Sequence, residues 1–575
     1  MLTSFRSYPA GRDLALRLDA QSNRGHAFRH RRAHLHLLYT LLASSFLAPS
    51  HGAPDSGPLL PSPPPFTLPP VTQLSIFNKV IAPDGFARSA TLAGGVFPGP
   101  LIKAQKVRAN IFIHVVMFSI SKGDLFSISV LNQLQDENMP LLTSVHWHGI
   151  HQLKTNWADG VAFITQCPIP QYGSFLHQFS ALNQTGTYWY HSHLLTQYCD
   201  GLRGPLVIYD PEDPHRGLYD VDDETTIITL SDWYHDPSTQ LNKITGRVIY
   251  DSTLINGLGR HPGGPKSPLA VIGVEQGLRY RFRVIGLSCD PSYNFTIDGH
   301  NMTIIEADGV ETVPVTVDSL PVLPGQRYSV VVHADKPVAN YWVRALSTFP
   351  NQTFAGGLNQ AILRYNGAPN EDPTSSSGPF VLPFDEAMLA SFGSIPAPGF
   401  PQIGFADVNL NLVAGSVKDR FTLNNVSFQN PPISVLLQML SGARHPAELL
   451  PKGSVYELPP NKVVEITLPN TGAAPGGPHP IHLHGHNFAV VRVAGNSTPN
   501  FVNPIWRDTV SMGDVGDNVA IRFVTDNPGP WFLHCHIDFH LNKGFAVVMA
   551  ETRDEIPDIY ANIPAAWYEL CSTSD

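Results

Sequence analysis

Four His-X-His pairs constrain this chain more than any other feature: His146-Trp147-His148, His191-Ser192-His193, His482-Leu483-His484 and His534-Cys535-His536. Two lie in the first part of the sequence and two near its C-terminal end. In an extended strand, residues i and i+2 project from the same face, so each pair is expected to present two imidazoles side by side. Imidazole is the commonest side-chain ligand for metal ions. Eight imidazoles in four matched pairs predict a cluster of several metal ions, and the fold must bring distant parts of the chain together to build it. The fourth pair encloses Cys535, which sets a thiolate site directly beside that cluster.

The last pair belongs to the run from Trp531 to Phe545. A thiolate with two imidazoles in a trigonal set makes a blue-copper electron-transfer site. Cys535 supplies the sulfur and His540 one nitrogen; His479, just ahead of His482, is well placed for the other. Zinc is the main competitor. Structural zinc sites usually pair cysteines at short spacing, and no Cys-X-X-Cys occurs here. One such histidine is more often a satisfied core or surface residue; ten in compact motifs reverse that preference. An electron entering at Cys535 passes through covalent bonds to the neighbouring histidines, so one-electron oxidation at one site feeds multi-electron chemistry at the other. Dioxygen is the natural acceptor.

At 575 residues the chain is too long for one ordinary core, and two to four domains are expected. Its 52 Pro and 46 Gly, with short runs rich in Val, Ile, Phe and Tyr, predict many strands and turns. Examples are Leu125–Leu131, Gly204–Tyr209, Thr225–Leu230, Tyr280–Val284, Gln326–Val332, Val463–Leu468, Ala489–Val493 and Val519–Phe523. Short strands at this spacing predict sandwiches or barrels. Linker chemistry at Asp210–Pro214 and Gly367–Pro379 divides the chain into three domains. The metal motifs fall in the first and third, so these are expected to face each other across the cluster. The middle domain spaces them and shapes a substrate wall. The net charge of -10 argues against nucleic acid. No segment reaches the roughly 18 apolar residues of a membrane span.

The N-terminal region carries a basic stretch, Arg29–Arg32, an apolar run over about 35–48, then small residues and Pro through Ala53. This pattern predicts a secretory signal and an extracellular destination, with a short buried helix as the alternative. About 28 residues precede the basic stretch, as a mispredicted start in the gene model would leave. Residues 1–53 are therefore set apart from fold reasoning, and Pro61–Pro70 reads as a spacer. Sequons at Asn183, Asn294, Asn301, Asn351, Asn425 and Asn496 fit a secreted glycoprotein. With Cys535 set aside as a ligand, four cysteines remain: two disulfides in three possible connectivities, or reduced buried thiols. The apolar segment Lys106–Ser121 breaks the local logic. It reads as an extended hairpin, an exposed flap or the translation of a retained intron.

Taken together, these stretches resemble the multicopper oxidases and, among them, the fungal laccases. The resemblance rests on His146-Trp147-His148-Gly149, Thr155–Gly160, Thr165–Ile169, Gly186–His193, Gln197–Pro205, His479–His486 and the Cys535 run. It covers about 71–571 without the insert. It implies an all-β chain of three cupredoxin-like Greek-key β-sandwich domains: 70–213 with the insert at 106–121, 214–384, and 385–575 carrying the type 1 copper. It also implies four copper ions, one type 1, one type 2 and two type 3. His479, Cys535 and His540 match the type 1 ligands and His146 and His482 the type 2 pair. His148, His191, His193, His484, His534 and His536 match the type 3 ligands. Phe545 falls at the axial position, where a non-coordinating residue raises the potential by destabilising Cu(II) relative to Cu(I). Ile537 flanks the same copper from the other side.

Asp290 matches the acid that holds a phenol hydroxyl while His540 relays the electron. Asp159, and Asp508 with it, match acids that deliver protons to reduced oxygen. The implied disulfides are Cys167 with Cys571 and Cys199 with Cys289. Ile481, Phe539, Leu195 and Asn542-Lys543 depart from the usual pattern, the last putting a positive charge near the type 1 site. His151 and His114 match no ligand and are expected to be structural or exposed. The implied activity is one-electron oxidation of phenols and aromatic amines coupled to reduction of dioxygen to water, as in lignin degradation, by a secreted monomer. The rivals are a ferroxidase-type oxidase and a copper-binding paralogue inactivated by the insert.

Overall fold

The computed structural model describes residues 72–106, 125–349, 353–443 and 450–572. The signal region, the Pro61–Pro70 spacer, His114, Asn351 and all but the first residue of the Lys106–Ser121 segment lie outside these residues. The described chain is all-β, with short helices confined to turns and to the C-terminal region.

Its sheets fall into three groups. In the first, a sheet containing Thr72–Ile81, Arg88–Ala93, Leu125–Asn132 and Ser174–Ser180 packs on one containing Ile102–Gln105, His146–His148, Gly186–His191 and Arg203–Tyr209. In the second, a seven-stranded sheet within Ile227–His333 packs on a five-stranded sheet within Val271–Tyr365. The third stacks two five-stranded sheets drawn from Val408–Glu551. No sheet mixes strands between groups. This is the cupredoxin-like sandwich architecture. Thr72–Ile81 runs parallel to Leu125–Asn132, so a crossover rather than a hairpin joins them.

The period-2 pattern appears where one face meets water, as in Ile102–Gln105, alternately buried and exposed. It vanishes in Gly186–His191 and Gly529–Cys535, whose residues are buried throughout. These strands lie between their own sandwich and a neighbouring one. Seven of the eight strand expectations fall on strands whose boundaries coincide or shift by at most two residues. The eighth begins too early: Glu224–Thr226 is a 3-10 turn capped by Asp223, and the strand starts at Ile227.

The third group contributes to both large cores. Its residues continue the apolar interior of the second, while Val435, Ile556 and Trp567 complete that of the first. Trp567, on the helix Ala565–Ser572, is fully buried, and its indole N–H donates to the Thr165 carbonyl at 3.1 Å. Disulfides join Cys167 to Cys571 and Cys199 to Cys289.

Candidate metal centre

Strand pairing aligns the histidines. His146–His148 lies antiparallel to Gly186–His191 with His146 opposite His191. Pro480–Leu483 lies antiparallel to Gly529–Cys535 with His482 opposite His534 and Ile481 opposite Cys535. The side-by-side expectation holds only partly. His193, His484 and His536 sit just past the ends of their strands, where the chain turns. Freed from the pleat, the second imidazole of a pair joins partners from other pairs. The resulting groups are His146 with His148 and His191, His146 with His482 and His484, and His193 with His484 and His534.

The two halves of the cluster meet across 388 residues of sequence: His536 Nε2 is 3.1 Å from His148 Nδ1. Within the third group, His484 Nε2 is 3.1 Å from His534 Nε2. The outer nitrogens are fixed by the backbone. His146 Nδ1 bonds the Asp159 carbonyl at 2.8 Å, His191 Nδ1 the Ser192 carbonyl at 2.8 Å, His482 Nδ1 the Asp508 carbonyl at 2.9 Å and His534 Nδ1 the Cys535 carbonyl at 2.9 Å. Each such bond places the proton on Nδ1 and leaves Nε2 as a lone-pair donor. The inward Nε2 atoms of His146, His191, His193 and His482 are buried without a hydrogen-bond partner. Burial, and after it the neighbouring imidazoles, holds His148, His191, His193, His484, His534 and His536 well below the usual histidine range. They are neutral, which is the form that binds metals.

Two carboxylates flank the cluster differently. Asp159 Oδ2 accepts from His484 Nδ1 at 3.0 Å, and its Oδ1 lies 3.2 Å from His146 Nδ1. Asp508 is gripped by Arg327 through two bonds of 2.7 and 2.8 Å, and sits 3.3 Å from His148 Nε2. Burial opposes its charge, yet Arg327 and the His148 and His482 contacts hold its carboxyl well below the usual range. Asp508 is thus a fixed anion that orients His148. His193 lines a cavity of about 420 Å³ with Leu195, Phe532 and Leu541, an approach from the surface. Leu195 is 47% exposed with φ of +52°, a left-handed conformation that glycine adopts more readily.

Cys535 Sγ lies 3.7 Å from His479 Nδ1 and 3.8 Å from His540 Nδ1. Strand Gly529–Cys535 ends at the sulfur, and a turn at Ile537 leads into the short helix Asp538–Asn542 that carries His540. Ile537 is buried, and its carbonyl accepts from the His540 N–H at 2.9 Å. Phe545 is fully buried, 5.0 Å from the His479 ring, and its carbonyl accepts from the Cys535 N–H at 3.0 Å. Burial pushes the Cys535 thiol up; a buried thiolate therefore needs a bound cation. His479 Nε2 is tied to the Ala474 carbonyl at 3.2 Å, whereas His540 is 8% exposed. Lys543 stands nearby as expected, but Asp419 takes its charge at 3.0 Å.

Asp290 follows the Cys199–Cys289 bridge. It is 3% exposed, and its Oδ1 has no hydrogen-bond partner. Burial raises its carboxyl to about 7 against the pull of Arg247. His151 is half-buried and outside the metal groups.

Three contributors were missed in the sequence. Asp232 accepts from the N–H groups of Cys289 and Asp290 at 2.9 and 3.1 Å, fixing the turn that presents Asp290. Arg327 and Gly325 come from the middle group. A Cβ on Gly325 would stand 2.9 Å from His536 Cδ2 and 3.1 Å from His148 Cε1, and its φ is +86°, so glycine alone fits this approach. The Pro324-Gly325 turn signal was visible, but not the cluster it meets.

The donor set fits copper. Neutral imidazoles with unpaired, convergent nitrogens and one buried thiol beside two imidazoles are ligand sets for copper ions. Comparison with known proteins agrees. Multicopper oxidase family models match residues 116–213, 224–368 and 420–555. Laccase-4 of Trametes villosa is 55% identical over 505 residues, 88% of this chain and 94% of its own. A laccase of Pycnoporus cinnabarinus is 52% identical over 510 residues, again 88% and 94%. Among solved structures, the laccase of Botrytis aclada aligns with a TM-score of 0.72 at 29% identity, covering 88% of this chain and 90% of that one. Fet3p, a multicopper oxidase that functions in iron import, gives 0.73 at 27%, covering 88% and 94%. The chain belongs to the multicopper oxidase family, whose cofactors are four copper ions, one type 1, one type 2 and two type 3. Within the family its activity is that of a laccase. Neither the ferroxidase nor the inactive-paralogue alternative is favoured.

Proposed function

We propose that the residues predicted from the sequence carry the laccase reaction in their assigned roles. His479, Cys535 and His540 would hold the type 1 copper, with Phe545 and Ile537 flanking it. His146 and His482 would hold the type 2 copper. His148, His191, His193, His484, His534 and His536 would hold the type 3 pair. Bound copper supplies the one-electron oxidation of a phenol or aromatic amine at the first site and the four-electron reduction of dioxygen to water at the others. The observation that carries the assignment is the convergence of unpaired buried nitrogens from residues 146–193 and 482–536 beside an isolated thiol.

The protein's own groups do the rest. His540, at 8% exposed, is the least covered of the three proposed type 1 ligands, so a substrate ring meets that site at its edge. His479, Phe545 and Phe421 wall off the sulfur; the Phe421 ring lies 4.2 Å from His540 and stacks on Phe545 at 5.3 Å. Asp290, whose Oδ1 accepts no hydrogen bond and faces Arg247 at 3.7 Å and whose carboxyl lies near 7, takes the phenol proton as the electron leaves. Asp159, between His146 and His484, holds protons for oxygen reduction. Asp508 keeps its charge against Arg327 and supports that transfer by fixing His148.

The division into 70–213, 214–384 and 385–575 belongs to the same proposal, supported by the segregation of strands among sheets. So do secretion and a monomeric state. Two disulfides favour an oxidising compartment, and no helix among the described residues is long and apolar enough to cross a membrane.

The test combines metal analysis, a visible spectrum and oxygen uptake on a phenol and on ferrous iron. Four coppers per chain, a strong blue band and faster uptake on the phenol are expected. Faster uptake on ferrous iron would overturn the laccase reading.

A further inference from the structure

The wall beside Asp290 carries a cation that the reaction itself does not require. Arg247 lies between the helix Ser238–Leu241 and the strand Ser252–Ile255. Its neighbours pin it. Val248 and Tyr250 are buried in an apolar cluster with Phe349, Cys289 and Phe539, the last two being the chain neighbours of Asp290 and His540. The Tyr250 hydroxyl donates to Ser347 Oγ at 2.6 Å. Arg247 is therefore held at the mouth of the type 1 site rather than swept through solvent. Its guanidinium sits 3.6 Å from the centre of the Phe349 ring, and one of its nitrogens is 3.7 Å from Asp290 Oδ1. The side chain remains 31% exposed.

We propose that Arg247 is a specificity-determining residue that selects aromatic substrates bearing a carboxylate or another anionic group. Three observations converge on it. Stacking on Phe349 fixes the plane of the guanidinium and leaves N–H donors directed away from the ring. The contact with Asp290 is long, 3.7 Å at its nearest atoms, so donors remain for a second acceptor. The other cation near His540, Lys543, is already paired with Asp419 at 3.0 Å. The whole chain carries a net charge of -10, which by itself repels anions, so a fixed local cation at the entrance gains in weight. A phenol with its hydroxyl at Asp290 and its ring at His540 would bring a carboxylate ortho or meta to that hydroxyl within reach of the Arg247 fork, a planar match for carboxylate.

This inference rests on the laccase reading, and its test separates the two. Steady-state oxidation of 2,5-dihydroxybenzoate, whose carboxylate is next to one hydroxyl, and of its neutral methyl ester is measured for the wild type, Arg247→Gln and Arg247→Lys, with the blue absorption as a control for the metal site. The carboxylate-over-ester ratio of kcat/KM should fall about fivefold in Arg247→Gln, as expected for one partly exposed charge contact. The loss should appear in KM for the carboxylate, and Arg247→Lys should restore most of the ratio. An unchanged ratio, or equal losses on both substrates, would overturn the proposal. A wild type that oxidises neither substrate would break the laccase reading and this inference with it.

Discussion

The two metal-binding regions are built on different scales. The side chains proposed to hold the first copper, His479, Cys535 and His540, all come from residues 479–545, and His540 is the least covered of them. The imidazole cluster draws on residues 146–193 and 482–536, is steadied by Arg327 and Gly325 from between them, and meets the surface at the cavity lined by His193. The local site, with His540 at its edge, suits an electron donor too bulky to enter. The distributed, buried one suits a small acceptor whose partly reduced forms must not escape. The first depends on one turn after one strand; the second depends on three sandwiches holding register.

The largest expected effect breaks the first region alone. Cys535→Ser should abolish the blue colour and all phenol oxidation, and an unchanged visible spectrum would refute the assignment of the sulfur.

Next in size is Asp290→Asn, which leaves every metal ligand in place. Phenol oxidation should fall about 100-fold, the scale of a lost general base. Oxidation of substrates without an ionisable hydroxyl should be spared. Because burial raises this carboxyl to about 7, the base form grows as pH climbs through that value. The wild-type advantage on phenols should widen over the same range and level off above it; a flat ratio from pH 5 to 8 would remove the proton role. The sign for stability is opposite. Between the ordinary value of 3.8 and about 7 the folded state keeps a proton that the unfolded state has lost, so stability falls as pH rises across that window. Thermal unfolding of Asp290→Asn should show a shallower decline there than the wild type.

The smallest effect tests whether the regions are separable. Asp508→Asn weakens the grip on His148 and should cut oxygen uptake about tenfold, as for other groups that orient a metal ligand, while the blue band persists. Joint loss of both signals would show that the two regions stand or fall as one.

The proposed ligands were legible because their residue types are chemically rare and their spacing repeats: ten histidines and one cysteine. The fold class followed from turn residues punctuating β-branched and aromatic runs. The facing of each pair did not follow, because His193, His484 and His536 lie beyond their strands, where the pleat no longer dictates direction. Nor did the middle group's part. Arg327 reads in sequence as one residue of an ordinary strand, and its role exists only because folding carries it to Asp508, 181 residues away. Asp232 is hidden for the same reason: what it holds, the turn at Cys289 and Asp290, is 57 residues on.

Trp567 carries a consequence for synthesis. The first sandwich waits for a plug encoded some four hundred residues downstream of the carbonyl it meets. Until residues 556–571 leave the ribosome, the apolar pocket beneath Thr165 stands open and the metal-binding half above it lacks its floor. A protease that trims this tail would thus unseat a region translated some four hundred residues earlier.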